Sequence, residues 1–333
     1  MQAIQIGTLI MLVGSMAFLL VLVGRRSWLA AKGRRRAAAV QALRPAAIEL
    51  IEDVGDPPAL RGFQAEVFAE LLSGYALAVR GVPRERIAAY FERTGAVDEQ
   101  LRLLRNRRGW KRASAAFALG DMGSPRAVPA LLEALDDRNG DVRAAASRSL
   151  GRIGPVEAIE PLVTAGVDRR VPRDVAMLAL LDVGTSAVPR LLELTQHEEP
   201  RVRASAVELV GLLGEAGDAE DLPERLRDTA AEVRAAASGA LGRLGAAAAR
   251  DALIEALDDR VPSVRVASAK ALGQIGGRSA LDALVRVAQT DEVEPAAAAA
   301  EAAAAIDPPF VIRAAAEPDA GRHLHEAADV AAL

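Results

Sequence analysis

Six arginines and six glycines keep one register through most of this chain. Gly123, Gly154, Gly184, Gly214, Gly245 and Gly276 stand 31, 30, 30, 31 and 31 residues apart. Eleven residues before each comes Arg112, Arg143, Arg173, Arg203, Arg234 or Arg265, and three before each comes Gly120, Gly151, Leu181, Gly211, Gly242 or Gly273. Composition alone does not hold a register over six units. A period of this length is that of a solenoid, in which each unit buries its apolar face only by stacking on its neighbours.

Within a unit the pattern reads as two helices. VRAAASRSLGRIG (142–154), VRASAVELVGLLG (202–214), VRAAASGALGRLG (233–245) and VRVASAKALGQIG (264–276) are near-copies. In the third of these, Val233, Ala236, Ala237, Ala240, Leu241 and Leu244 follow helical i, i+3, i+4 spacing, and Gly245 ends the helix. The second helix, ARDALIEALDD, presents Leu253, Ile254 and Leu257 on one face. The chain is 51% hydrophobic but 3% aromatic, so its core is built from Ala, Leu, Val and Ile, a diet suited to closely packed helices. The fold class expected is all-α: one N-terminal transmembrane helix, a helical module, and an α-solenoid of six to seven repeats.

The repeating motif, D-x4-VR-x2-A-x3-LG-x-[IL]-G, sets Asp137 with Arg143, Asp228 with Arg234 and Asp259 with Arg265. It resembles the short HEAT repeats of phycobilisome lyases and many bacterial proteins, over residues 106–307. The resemblance implies that the aspartates and arginines link neighbouring units by charge-assisted hydrogen bonds. Asp137, Arg143, Arg173, Arg203, Asp228, Arg234, Asp259 and Arg265 are then a structural ladder, and the arginine column is no anion site. His197 stands where other units place the aspartate. The third unit departs from the pattern: it has Pro172 where others carry Val, and Leu181 for glycine, which implies a local change in superhelical curvature. A seventh unit, VEPAAAAAEAAAAIDPP, has lost the arginine and reads as a terminal cap, followed by a loose tail at 308–333.

Residues 6–24 carry no charge, and nineteen residues of helix span roughly 28 Å, close to the hydrocarbon thickness of a bilayer. Arg25, Arg26, Lys32, Arg34, Arg35 and Arg36 follow, with Trp28 at the interfacial position. The positive-inside rule then sets the N-terminus outside and the body in the cytoplasm, at the cytoplasmic (inner) membrane. A cleaved signal peptide would place its basic residues before the apolar run rather than after it. The expected organisation is an anchor at 1–24, a basic juxtamembrane segment at 25–36, a module of three or four helices at 37–105, and the repeats at 106–307. Breaks fall at Gly55–Pro58, at Gly81-Val82-Pro83 and around Gly95. Phe63, Phe68, Tyr75, Tyr90, Phe91, Trp110 and Phe117 cluster in sequence, and read either as an aromatic core capping the first repeat or as a docking patch for a membrane partner.

Signs of catalysis are missing from the sequence. There are no cysteines, which excludes disulfides and thiolate-ligated metals. Ser147, Ser205, Ser238 and Ser268 recur on the first helices without histidine partners, and His323 and His325 are too few to complete a metal site. No G-x-S-x-G, H-E-x-x-H or phosphate-binding loop occurs. The reading is therefore no enzyme, no cofactor, no metal and no small-molecule substrate. Net charge is −4; residues 1–36 hold +6, so the rest sums to −10, unsuited to nucleic acid. On the second helices Glu133, Glu193, Glu224 and Glu255 share a column, and Glu160, Asp251 and Asp282 stand one turn earlier, with Asp221 one position over. Second helices line the concave face in HEAT proteins, so the resemblance implies an acidic groove for a basic partner segment. The competing reading is an ordinary solvated face of an acidic protein.

The function expected is a membrane-anchored scaffold for protein partners that are themselves membrane-associated. The resemblance to bacterial membrane-anchored HEAT proteins suggests an accessory role beside an envelope or exopolysaccharide glycosyltransferase. A chromophore lyase of the phycobilisome-lyase type is the enzymatic alternative, weakened by the lack of any aromatic between Phe117 and Phe310. A purely structural subunit of a larger membrane assembly is the other.

Overall fold

The computed structural model describes residues 2–54, 59–76 and 78–332, with side chains from residue 18 onward. All regular structure among the described residues is helical. The chain divides into two compact units, one of residues 1–99 and 121–124, the other of residues 100–120 and 125–333.

The first unit begins with α1 (Gln2–Glu52), about 76 Å long at 1.5 Å per residue. It continues through Gly24, Gly33 and Pro45, so the anchor, the basic segment and the start of the helical module are one helix rather than three pieces. Its last turns bury Leu43, Ala47 and Leu50, an i, i+4, i+7 stripe, and α1 packs on α2 (Phe63–Ala76) and α3 (Val82–Arg93). The break at Gly55–Pro58 lies outside the described residues. Gly81 (φ 65°) precedes α3, and Gly95 (φ 73°) separates it from α4 (Ala96–Leu104). The aromatic core here is smaller than the sequence suggests. Phe68, Tyr90 and Phe91 are buried edge-to-face, with ring centres 5.3 Å and 5.8 Å apart, while Phe63 is half-buried beneath the Arg35 guanidinium. Trp110 and Phe117 belong to the second unit and are exposed, with Lys111 and Arg152 over their rings.

The second unit is the repeat array. Its first helices are α5 (Gly109–Met122), α7 (Gly140–Ile153), α9 (Arg173–Val183), α11 (Pro200–Leu213), α12 (Ala231–Arg243), α14 (Pro262–Ile275) and α16 (Val293–Ile306). The second helices are shorter: α6 (Val128–Ala134), α8 (Ile159–Val167), α10 (Val188–Leu194), α13 (Arg250–Glu255), α15 (Leu281–Thr290) and α17 (Pro308–Ala315). In the fourth unit this place is taken by a 3-10 segment, Leu222–Arg227, with Pro223 in its first turn. Five of the six ladder glycines have φ between 63° and 77°, positive values that glycine adopts without strain; Gly214 is instead extended.

The second glycine column sets the distance between units. A Cβ on Gly151 would lie 2.4 Å from the Ala179 carbonyl oxygen, and one on Gly211 would lie 2.6 Å from the Ala240 Cα. Successive first helices therefore meet backbone to backbone, as helices do where side chains are absent. The junction of α9 and α11 is the exception. Leu181 stands in the glycine's place, α9 and α11 hardly touch, and α11 packs against α8 instead.

One further expectation is corrected. Residues 308–333 are no loose tail: α17 and α18 (Gly321–Ala331) pack on each other, α18 also packs on α15 and α16, and Val311, Ala315 and Leu324 are buried. Among the described residues, Arg173–Leu194 is the one stretch apolar and long enough for a membrane span. It belongs to the repeat core, since Gly184 (φ 77°, ψ −155°) divides it into α9 and α10. Much of the 6–24 run lies outside the residues with described side chains.

Candidate interaction surface

The ladder exists, and its connectivity extends what the motif suggested. Each complete rung is an arginine whose Nε and one Nη grip both oxygens of an aspartate in the following unit, while the other Nη donates to a carbonyl at the start of its own unit. Arg112 holds Asp137 at 2.7 Å and donates to the Asn106 carbonyl at 2.9 Å. Arg203 holds Asp228 at 2.8–2.9 Å and donates to the His197 carbonyl at 2.8 Å. Arg234 holds Asp259 at 2.6–2.9 Å, and Arg265 holds Asp291 at 2.5 Å. Asp137, Asp228 and Asp259 thus give their carboxylates to the preceding unit's arginine and only their backbone carbonyls to Arg143, Arg234 and Arg265. Sequence reasoning missed Asp291, which stands 26 rather than 25 residues beyond its arginine.

These pairs are well shielded; the Arg234 and Asp259 side chains are 8% and 11% exposed. The guanidiniums of Arg112, Arg234 and Arg265 hold the carboxyls of Asp137, Asp259 and Asp291 below the usual carboxylate range. At Asp228 burial pushes upward, but the pair with Arg203 outweighs it.

Two rungs are missing, both beside the third unit. Arg143 donates to the Arg170 carbonyl at 2.5 Å in place of a carboxylate. Arg173, 69% exposed, turns outward to Glu208. His197 keeps one duty of the aspartate it replaces: its Nδ1 accepts the Glu199 amide at 3.0 Å, as Asp137 Oδ1 accepts the Asn139 amide at 2.8 Å.

The eight acidic candidates lie on the second helices or beside them, and all but half-buried Glu160 are exposed. They are interleaved with arginines that the sequence reading left out. Arg190 bridges Glu160 and Glu193, Arg225 meets Glu224 at 3.2 Å, and Arg227 reaches Glu255 at 3.2 Å. Glu133, Asp221, Asp251 and Asp282 have no ion pair among those described, so the face is mixed rather than uniformly acidic. A further pair, Arg286 with Asp258 at 2.8 Å, links α15 to the turn that follows α13.

The basic candidates Arg25, Arg26, Lys32, Arg34, Arg35 and Arg36 are exposed on α1. Arg36 pairs with Glu70, and the Lys32 ammonium lies 5.5 Å from the centre of the Trp28 ring. Of the recurring serines, Ser238 and Ser268 bond each other at 2.9 Å across adjacent first helices. His325 turns to the Gly321 carbonyl, while His323 approaches Glu326 at 3.4 Å. No group of three or more metal-ligating side chains occurs among the described residues.

Comparison with solved structures gives similar folds at low identity. The complex of CpcE and CpcF of phycocyanin lyase from Nostoc is 24% identical, with 69% of this chain and 97% of that chain covered and a TM-score of 0.29. Human deoxyhypusine hydroxylase is 22% identical over 89% of this chain and 96% of that one, with a TM-score of 0.28. An engineered protein is 22% identical over 89% and 90%, with a TM-score of 0.40. No curated protein matches significantly. The model of HEAT repeats matches residues 99–180, 168–238 and 219–305, more than half of the chain. With the arginine–aspartate rungs and stacked helix pairs described above, that match settles the classification: this chain belongs to the HEAT-repeat family.

Proposed function

We propose that this protein is a membrane-anchored scaffold that holds partner proteins on its repeat array, with the array in the cytoplasm and no catalytic role of its own. HEAT repeats generally mediate protein–protein interaction. The observation carrying the anchor is that Phe18 to Val23, six consecutive apolar residues, are all exposed on α1, on every side of the helix. A helix apolar all round buries that surface in a core or in lipid, and this stretch has no protein core around it. Exposed Arg25, Arg26 and Arg34 follow it, the charge bias of a cytoplasmic flank. Tethering would raise the effective concentration of the array toward partners in the same membrane. An accessory role beside an envelope glycosyltransferase fits this arrangement.

Full-length protein and a soluble form of residues 37–333 would each be used to recover partners from native membranes, with quantification by mass spectrometry. Alkaline carbonate would separately test whether the full-length chain is integral. The reading expects carbonate resistance and one stoichiometric protein retained by both forms. Extraction by carbonate, or no partner on either form, would contradict it.

A further inference from the structure

The break between the third and fourth units opens a cleft. Its volume is about 350 Å³, and it is bounded by α8, α9, α11 and α12. Buried Leu162, Leu180 and Leu209 form its floor, and half-buried Met177, Ala204 and Ser205 its walls. Along α9 the lining residues run from Arg173 to Leu180, and along α11 from Arg201 to Leu209, about two helical turns or roughly 11 Å. The other first-helix junctions with a glycine have backbone where this one has a gap.

The rim is charged. Arg169, Arg173 and Arg201 stand over the apolar floor with Glu208 and Glu232. Glu208 is occupied by Arg173 and Glu199 by Arg201, both in solvent-facing pairs of small worth. Arg169 is exposed and has no ion pair among those described. Its φ of 58° is one of two positive values at non-glycine residues in the described chain. It fills the left-handed cap position after α8, with the Val171 amide bonded back to the Ala165 carbonyl, where glycine is the unstrained choice. An arginine is kept there at a backbone cost of about 1 kcal/mol. Arg173 and Arg201 are thus matched by carboxylates, and Arg169 is left as a positive point beside the apolar floor of a chain whose residues 37–333 sum to −10.

We infer that this cleft is a docking site for an acidic amphipathic helix of a partner protein, which inserts one or two aliphatic side chains between α9 and α11 and sets carboxylates against Arg169 and Arg201. This rests on the scaffold reading above and names the kind of segment recognised. The two-turn length matches side chains at i and i+4 of a docking helix. Arg169 supplies complementary charge, and Arg201, held only by the solvent-facing Glu199, can exchange that partner for an incoming carboxylate.

The test uses full-length protein in nanodiscs and a fluorescein-labelled helical peptide made of Ala, Leu and Glu, with a control peptide in which every Glu is Lys. Anisotropy is expected to show saturable binding of the Glu peptide at least tenfold tighter than the Lys peptide. Joint Arg169→Glu and Arg201→Glu substitution should weaken it tenfold or more, and Ala204→Phe, which fills the cleft, should abolish it. Circular dichroism would check that both variants keep wild-type helicity; Ser205→Leu is a second filling variant should the first unfold. Absence of saturable binding, equal binding of both peptides, or unchanged affinity in folded variants would overturn the inference. Recovery of the native partner separates the two levels. A partner kept by Ala204→Phe leaves the scaffold reading intact and removes the cleft from it, whereas a wild-type array that retains none removes the scaffold reading itself.

Discussion

From α11 to α16 the array repeats one solution, and between α9 and α11 it abandons it. In the regular region a glycine lets one first helix lie on the backbone of the next, and an arginine reaches across to an aspartate that caps the following loop. At the irregular junction the glycine is Leu181, Arg173 turns outward to Glu208, and the aspartate before α11 is His197. The three losses coincide because the devices depend on each other. A guanidinium spans to the next unit only if the helices are close, and they are close only where no side chain intervenes. The regular units are therefore closely stacked, and the junction that carries Leu181 is not.

The most damaging way to test this contrast is to move the irregularity. Gly211→Leu puts a side chain where a Cβ already falls 2.6 Å from the Ala240 Cα. It should destabilise the array by about 3 kcal/mol in urea unfolding. Leu181→Ala, at a half-exposed site with no such contact, should cost about 1 kcal/mol or less.

Next in size is the loss of a rung. Asp259→Ala strands the shielded Arg234 guanidinium and should cost about 2–3 kcal/mol. Arg173→Ala removes only a solvent-facing pair and should cost under about 1 kcal/mol. Equal losses at the two sites would erase the distinction between the regions.

The rungs also set a pH dependence. Asp137, Asp259 and Asp291 have folded-state pKa values depressed by their arginines. Their stabilisation is fully present above the unfolded carboxylate pKa of about 4 and is lost as pH falls through the lower folded values. Urea unfolding at stepped pH should therefore show stability declining from about pH 4 downward, and Asp259→Asn should flatten that decline.

The smallest effect belongs to the mixed-charge face of the second helices. Arg190→Ala, which releases Glu160 and Glu193, should leave the urea midpoint close to that of the wild type, measured the same way.

The repeat was legible in the sequence because its devices are periodic: glycine and arginine at fixed spacing announce a stack of helix pairs. The terminators were legible for the same reason, apart from the extended Gly214. The partner of each arginine was harder to read. The motif shows Asp137 six residues before Arg143, whereas the carboxylate belongs to Arg112 of the preceding unit, and that link is visible only as a correlation 25 residues away. Pro172 and Leu181 marked the third unit as irregular, but a cleft with Arg169 at its mouth depends on where α11 finally rests. The packed α17 and α18 escaped notice because their alanine-rich pattern has no motif to set them apart from a tail.

Native-state hydrogen exchange along the array tests the central contrast most directly. If the glycine column and the rungs lock the regular units together, amides of α12 and α14 should exchange only through openings near the global unfolding free energy. Those of α9 should then exchange through smaller, local openings that Leu181 permits. Equal protection in α9, α12 and α14, or greater protection in α9, would show that the junction is no joint and that the missing rungs carry no mechanical consequence.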